Sequence, residues 1–319
     1  MSQAGQGIAL SFDGTDDYIS LNKMNLSGID GFSFSLWVKK DSQLPSSYES
    51  IIRQDINGNP DFMLQFTGNN KLAFGLNSSL TSYSELLVNI SSNDYVNKWV
   101  HIVGTYERST SIQYLYVNGS QVGSNNNHSG TGPSGTSNHR LHIGSSPHPA
   151  SGQSSGYSEF LDGSVDEVAI FDSALHPDEI TALYNSGNGL RADVNSGNYG
   201  GSADLIGYWR MEEGSGSSVV DASQNNNNAS INGASWVSDS PLKSSEFNWT
   251  YDTVGPVISS VSLAATNATI AVTMNEASFN TNGGSGNLEA TDFSLSISGG
   301  NATLSSSTPS SISISGNVY

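Results

Sequence analysis

The chain has 319 residues, with 29 acidic side chains against 11 basic ones, a formal charge of -18 and no cysteine. Clustered cations that would neutralise phosphates are lacking, which excludes nucleic acid as a partner, and the missing thiols exclude a disulfide framework, a thiolate metal site and a cysteine nucleophile. No run approaches the roughly 18 apolar residues of a membrane span, so no membrane insertion is expected.

With 34 Gly and only 13% charged residues, turns dominate and long amphipathic helices are scarce, as in an all-β protein of two domains. Strand signals follow one another as GIALSF, DYISL, FSFSLWVKK, ESIIRQ, FMLQFT, KLAFGL, ELLVNI, WVHIVGTYE, SIQYLYV, RLHIGS and SVDEVAIFD. Several alternate apolar and polar residues, and Gly, Asn and Ser clusters separate them, the pattern of half-buried antiparallel strands. Asn118 and Gly119 tolerate the two positive φ values of a type I′ turn and predict a hairpin. One short helix is predicted after Pro177, which suits a first helical position, with Ile180, Leu183 and Tyr184 as its apolar stripe and Gly187 as its stop.

Residues 186–204 read as a loop. LIGYWRMEEGSGSSVVDASQNNNNASINGASWVSDSPL follows, and from about Asp252 alternating strands with few aromatics take over. The start, MSQAGQGIALSF, lacks the basic and apolar regions of a signal peptide, and SISISGNVY stops inside a strand-like run. A piece of a larger parent chain with neighbouring domains is therefore expected.

The order FDGTDDYISL, KWVHIVGTYE, LYVNGSQV and FLDGSVDEVAIFDSALHPDEITALYN resembles the bacterial laminin-G-like members of the concanavalin A-like lectin and glucanase superfamily. The resemblance implies an antiparallel β-sandwich (jelly roll) with one short helix, of about fourteen strands, over residues 1–245. Segment 204–240 resembles a family stretch that in many relatives precedes the FDG strand, so the order is permuted and the segment is expected to complete the first sandwich. Residues 252–319 resemble a bacterial immunoglobulin-like domain, truncated here. For function the resemblance implies a non-catalytic, extracellular or cell-surface module that binds a carbohydrate or cell-surface glycan, or is adhesive, on a larger bacterial surface or secreted protein. A structural spacer or protein-interaction domain is the alternative, and a glycoside hydrolase comes third.

Glycan recognition uses aromatic faces with polar side chains around them. Tyr48, Tyr83, Tyr95 and Tyr157 lie in polar segments and are the ligand-binding candidates, whereas Trp37, Trp99 and Trp209 sit amid strand patterns and are expected to fill the core. Segment 123–139 reads as a recognition loop or a flexible tip. Strict alternation along the DEV strand puts Asp166 with Val168 and Ile170, and Glu167 on the opposite face. This lacks the alternate-position carboxylates of a laminarinase-type site; the histidines show no HExxH spacing, and no GxSxG elbow with its strand and helix context appears. The resemblance also implies a structural calcium ion. Its candidate ligands are Asp166, Asp221 and Asn225, with hydrogen bonding to backbone amides as the competing role for these carboxylates. Asp13, Asp16 and Asp17 read first as turn residues.

Overall fold

Period-two strands with one apolar face must stack that face against a second sheet, and two antiparallel sheets packed face to face are the result. The computed structural model of the protein describes residues 7–56, 59–79, 82–126, 140–148, 156–242, 258–263, 270–274 and 311. Contacts divide the chain into two units, Met1–Phe247 and Asn248–Tyr319.

In the first unit the elements run β1 (Ala9–Asp13), β2 (Tyr18–Leu21), β3 (Gly31–Lys40), β4 (Glu49–Ile56), β5 (Asn59–Thr67), β6 (Lys71–Ser79), β7 (Ser82–Asn89) and helix α1 (Ser92–Tyr95). They continue with β8 (Val100–Glu107), β9 (Ile112–Val117), β10 (Ser120–Asn125), β11 (Leu141–Ile143), β12 (Asp162–Phe171) and helix α2 (Pro177–Tyr184). The last four strands are β13 (Leu205–Trp209), β14 (Ser218–Val219), β15 (Ala229–Asn232) and β16 (Ser235–Val237). One sheet has the order β10-β9-β8-β3-β12-β1-β16, with β13 also on β12; the other runs β14-β15-β2-β11-β4-β5-β6-β7. Among the described residues of this unit sixteen strands thus stand against the fourteen or so expected, because pieces as short as Ser218–Val219 show no periodicity of their own. β13 and β16 pair into the first sheet and β15 into the second.

The core between the sheets is built from Phe12, Phe32, Phe34, Phe62, Phe74, Trp209 and their aliphatic neighbours. Gly104 is required there: a Cβ on it would stand 2.4 Å from the Phe34 ring. The Asn118-Gly119 hairpin forms with φ of 50° and 76°, and joins β9 to β10.

A second apolar layer covers the outer face of the first sheet, where Ile180 and Leu183 of α2 meet Val103, Tyr116, Phe171 and Tyr208. Glu179 Oε2 accepts the His176 N–H at 3.0 Å and His176 Nδ1 accepts the Asp178 N–H at 3.3 Å, which closes the helix entry. The helix ends at Tyr184 because Asn185 adopts a left-handed conformation at φ 48°, two residues before Gly187. Tyr184 lies on Trp37 with ring centroids 5.9 Å apart. Trp37 is therefore buried in this outer layer, Trp209 is buried in the inner core, and Trp99 is partly exposed at the margin with Lys39 over its ring.

β12 carries a bulge. It pairs with β1 through Val165 and with β13 from Val168 onward, and Glu167 between them sits at φ 51°. The extra residue resets the alternation, so Val165 and Val168 both face the inner core. This corrects the expected facing. Asp166 lies opposite Trp37 on the outer side, and Glu167 accepts the Tyr208 hydroxyl in the outer layer as well.

In the second unit, β17 (Ile258–Leu263) and β18 (Ile270–Met274) form an antiparallel pair. The rest of the immunoglobulin-like expectation for 252–319 lies outside the described residues. Among the described residues no helix is long and apolar enough to cross a membrane.

Candidate functional site

β3 and β4 are joined by Asp41–Tyr48, a loop too rich in Ser and Pro to pair as a strand. Leu44 is buried and anchors it, while Asp41 N–H reaches the Asp162 carbonyl. Between this loop and the strand-like segment before β12 lies an open cleft of about 430 Å³, lined by Gly14, Ser42, Gln43, Pro45, Ser46, Ser47, Tyr48, Glu49, Glu159 and Phe160. That volume falls at the lower end of the range of about 300–1,000 Å³ common for small-molecule sites. Tyr48 is 52% exposed and presents its ring at the edge of the cleft. A neighbouring depression of about 490 Å³, lined by Gln43, Ser92, Asn93, Val96 and Lys98, contains no aromatic ring.

Two carboxylates of the cleft are fixed from behind. Glu49 Oε2 accepts the fully buried Lys40 ammonium at 2.5 Å and the Asp162 N–H at 3.3 Å. Burial nevertheless pushes the Glu49 carboxyl upward, with Lys40 opposing. Glu159 Oε2 accepts Arg53 Nη1 at 2.9 Å and Ser50 Oγ at 2.8 Å, and Arg53 Nε also donates to the buried Asp55 at 2.7 Å. The same segment carries Tyr157. Its ring meets His142 and Tyr18 edge-on at 4.6 and 4.9 Å, while Tyr18 and His142 stack at 4.9 Å.

Of the four tyrosines singled out from sequence, Tyr48 lines the cleft and Tyr157, 39% exposed, caps the ring cluster two residues from Glu159. Tyr95 does not belong with them. The stretch read as a loop folds into α1, capped by Ser91, and this turn inserts Tyr95 into the core at 3% exposure, edge-on to Phe66. The Tyr83 side chain lies outside the described residues, as do 127–139 of the proposed recognition loop. Glu159, Arg53, Tyr18 and His142 were missed. Only Arg53 and Asp55 left a trace in the sequence: opposite charges two residues apart share one face of a strand.

The three calcium candidates each make hydrogen bonds within the protein. Asp221 Oδ1 accepts the N–H groups of Tyr208 and Ser223 at 3.0 and 2.9 Å, and Oδ2 accepts that of Asn227 at 2.9 Å. Asn225 turns its amide NH₂ to the Leu205 carbonyl and Ser223 Oγ. Asp166 accepts the Glu167 N–H at 2.9 Å and Ser240 Oγ at 2.5 Å. N–H and O–H dipoles thus already meet the Asp221 and Asp166 carboxylates, the competing role expected for them. Asp13, Asp16 and Asp17 do bring oxygens within 4.8 Å of one another, but Asp13 and Asp17 are spent on turn amides, as in an Asp-Gly turn.

Asp166 and Glu167 are buried at 0% and 4% exposure. Burial and mutual repulsion raise Asp166 well above the usual carboxylate range, and burial lifts Glu167 to about 8. Both side chains are sealed from solvent.

A family model described as "Concanavalin A-like lectin/glucanases superfamily" matches residues 13–181. The chain belongs to that superfamily. The match ends before β13, although β13 to β16 complete both sheets of the superfamily fold here. A crystal structure from Bacteroides ovatus, of a protein provisionally assigned as carbohydrate binding, shares the fold at TM-score 0.56 and 16% identity, covering 73% of this chain. This chain spans 60% of that structure's length. A heptameric SAP-like pentraxin from Limulus polyphemus aligns at TM-score 0.46 and 16% identity over 65% of this chain and 93% of its own. Domains LG4-5 of the mouse laminin α1 chain align at 0.40 and 12% over 54% and 44%. Among curated proteins none matches.

Proposed function

We propose that this chain is a non-catalytic glycan-binding or adhesive module, displayed outside the cell on a larger bacterial surface or secreted protein. The observation that carries the reading is the Tyr48 cleft, where a half-exposed ring stands beside carboxylates and Ser and Gln side chains. Sugars present just such a mixture, an apolar C–H face for stacking and hydroxyls for hydrogen bonds. Superfamily membership and the assignment of the Bacteroides ovatus relative agree with it. The second unit serves, in this reading, as the start of an immunoglobulin-like spacer.

The cleft also argues against hydrolysis. A glycosidase needs one carboxyl free to donate a proton to the leaving oxygen. Glu49 and Glu159 each commit Oε2 to a buried cation, Lys40 and Arg53, so neither carboxyl is free to swing toward a leaving oxygen. A glycan array probed with the full chain tests the proposal, with a reducing-end assay on every glycan retained. Binding without new reducing ends is expected. Release of reducing ends would overturn the non-catalytic part, and no binding to algal, plant or host glycans would replace the proposal with a purely structural spacer.

A further inference from the structure

The Tyr48 cleft has an unbalanced charge. Its lining contains two carboxylates, Glu49 and Glu159, and no Lys, Arg or His. The cations behind it are committed: Lys40, with no exposed surface, binds Glu49 and lies 3.8 Å from Asp162, and Arg53 is shared between Asp55 and Glu159. Four carboxylates therefore face two cations, and the cations lie on the protein side while Glu159 and Asp162 keep a quarter to a third of their side-chain surface in solvent. Exposed Asp13, next to Gly14 of the lining, adds to the same sign. The next nearest cation along the chain, Lys39, is held by Asp239 at 2.6 Å and by Asp41. Of the eleven Lys and Arg residues all but Lys243 are among those described, and Lys98, in the depression that shares Gln43 with the cleft, donates its ammonium to the Asn93 carbonyl at 2.6 Å.

A cleft of one sign focuses its field and repels ligands of that sign. Carboxylate oxygens also accept hydrogen bonds without donating any, so the cleft asks its ligand for donors. Building on the glycan-binding reading, we infer that the cleft selects uncharged sugars, whose hydroxyls donate to Glu159 and Glu49 while a C–H face rests on Tyr48, and rejects uronate, sulfated and sialylated glycans. Glu159 is the selectivity determinant. It is the cleft carboxylate with the more exposed side chain, and its backbone is pinned by the Ser50 N–H to Glu159 carbonyl bond at 2.8 Å.

The test titrates the full chain with neutral glucan, mannan and galactan oligosaccharides and, in parallel, with sulfated galactan, polygalacturonate and a sialylated oligosaccharide. The expected result is binding to at least one neutral series that changes less than twofold between 50 and 500 mM salt, with anionic members at least tenfold weaker. Glu159→Gln should shrink that tenfold gap to under threefold. Binding led by an anionic glycan, or a gap unmoved by Glu159→Gln, would overturn the inference while leaving glycan binding intact. Failure of every glycan would overturn the glycan reading itself, and the selectivity with it.

Discussion

Arg53 Nη1 stands 2.9 Å from Glu159 Oε2, and this bond ties β4 to the segment that forms one wall of the Tyr48 cleft. The same guanidinium holds Asp55, which has no exposed surface. Arg53→Met keeps the aliphatic volume and strips the charge from beside a buried carboxylate, which should cost about 3–5 kcal/mol. Glu159→Gln, at a partly exposed position that keeps an acceptor for Ser50, should cost about 1 kcal/mol or less. Urea melts of the two variants check the ranking; a loss below about 1 kcal/mol for Arg53→Met would show that the pair does not organise this wall.

Stability should fall as pH climbs through neutrality. Glu167 is raised from 4.5 to about 8 by burial, with Tyr208 and Arg210 opposing and Glu212 and Asp193 adding to the rise. The folded state therefore holds a proton that the unfolded state has released, and this contribution is lost as pH climbs from about 4.5 to 8. His101, stacked on Trp37 and Tyr184, is lowered from 6.5 to about 3 by burial. It takes up a proton only on unfolding, so below about pH 6.5 it opposes the Glu167 effect, and above 6.5 the Glu167 loss stands unopposed. Thermal melts from pH 6.5 to 8.5 should show this loss, and Glu167→Gln should flatten it. A melting temperature that rises steadily from pH 6 to 8 would contradict the assignment.

The strands from β13 to β16, with the turns between them, should be required for folding. They supply Trp209, Met211, Val219 and Ala229 to the inner core and Tyr208 to the outer layer. A chain ending at Asp204 should lose its cooperative thermal transition, since removing several buried side chains at about 2–5 kcal/mol each exceeds the stability of most domains. A cooperative melt at the full-length temperature would show that these strands only decorate the sandwich.

Much of the sandwich was legible in the sequence because its signals are local. Period-two alternation marks β3 and β8, Asn118-Gly119 marks the hairpin, and Pro177 marks the start of α2. Features set by distant contacts were not legible. The left-handed Glu167 arises where β12 passes from β1 to β13, a junction that exists only in the folded sheet. Tyr95 looked like a loop aromatic because one helical turn is too short to show periodicity. Half of the candidate site followed the same rule: Tyr48 and Tyr157 stood out as aromatics in polar surroundings, whereas the Ser50 and Arg53 bonds to Glu159 span 109 and 106 residues.

Calcium provides another check on the geometry. Because three backbone amides already occupy the Asp221 carboxylate, metal-stripped protein should melt at the same temperature with 5 mM calcium or excess chelator, this concentration being about what a weak extracellular site requires. Asp221→Ala should still destabilise by about 2–3 kcal/mol through the orphaned amides. A calcium-dependent rise in melting temperature that Asp221→Ala abolishes would restore the metal reading.

The central claim is that the Tyr48 cleft binds sugar. Its most direct test is a calorimetric titration of the full chain, wild type and Tyr48→Ala, with the best neutral oligosaccharide from the array, after thermal melts show that both are folded. Tyr48 is exposed, so its removal should leave the melting temperature within about 2 °C, consistent with the small effect of most surface changes. Loss of the stacking face should weaken binding at least tenfold, about 1.4 kcal/mol. Equal affinity in the two proteins would place the sugar elsewhere and contradict the account.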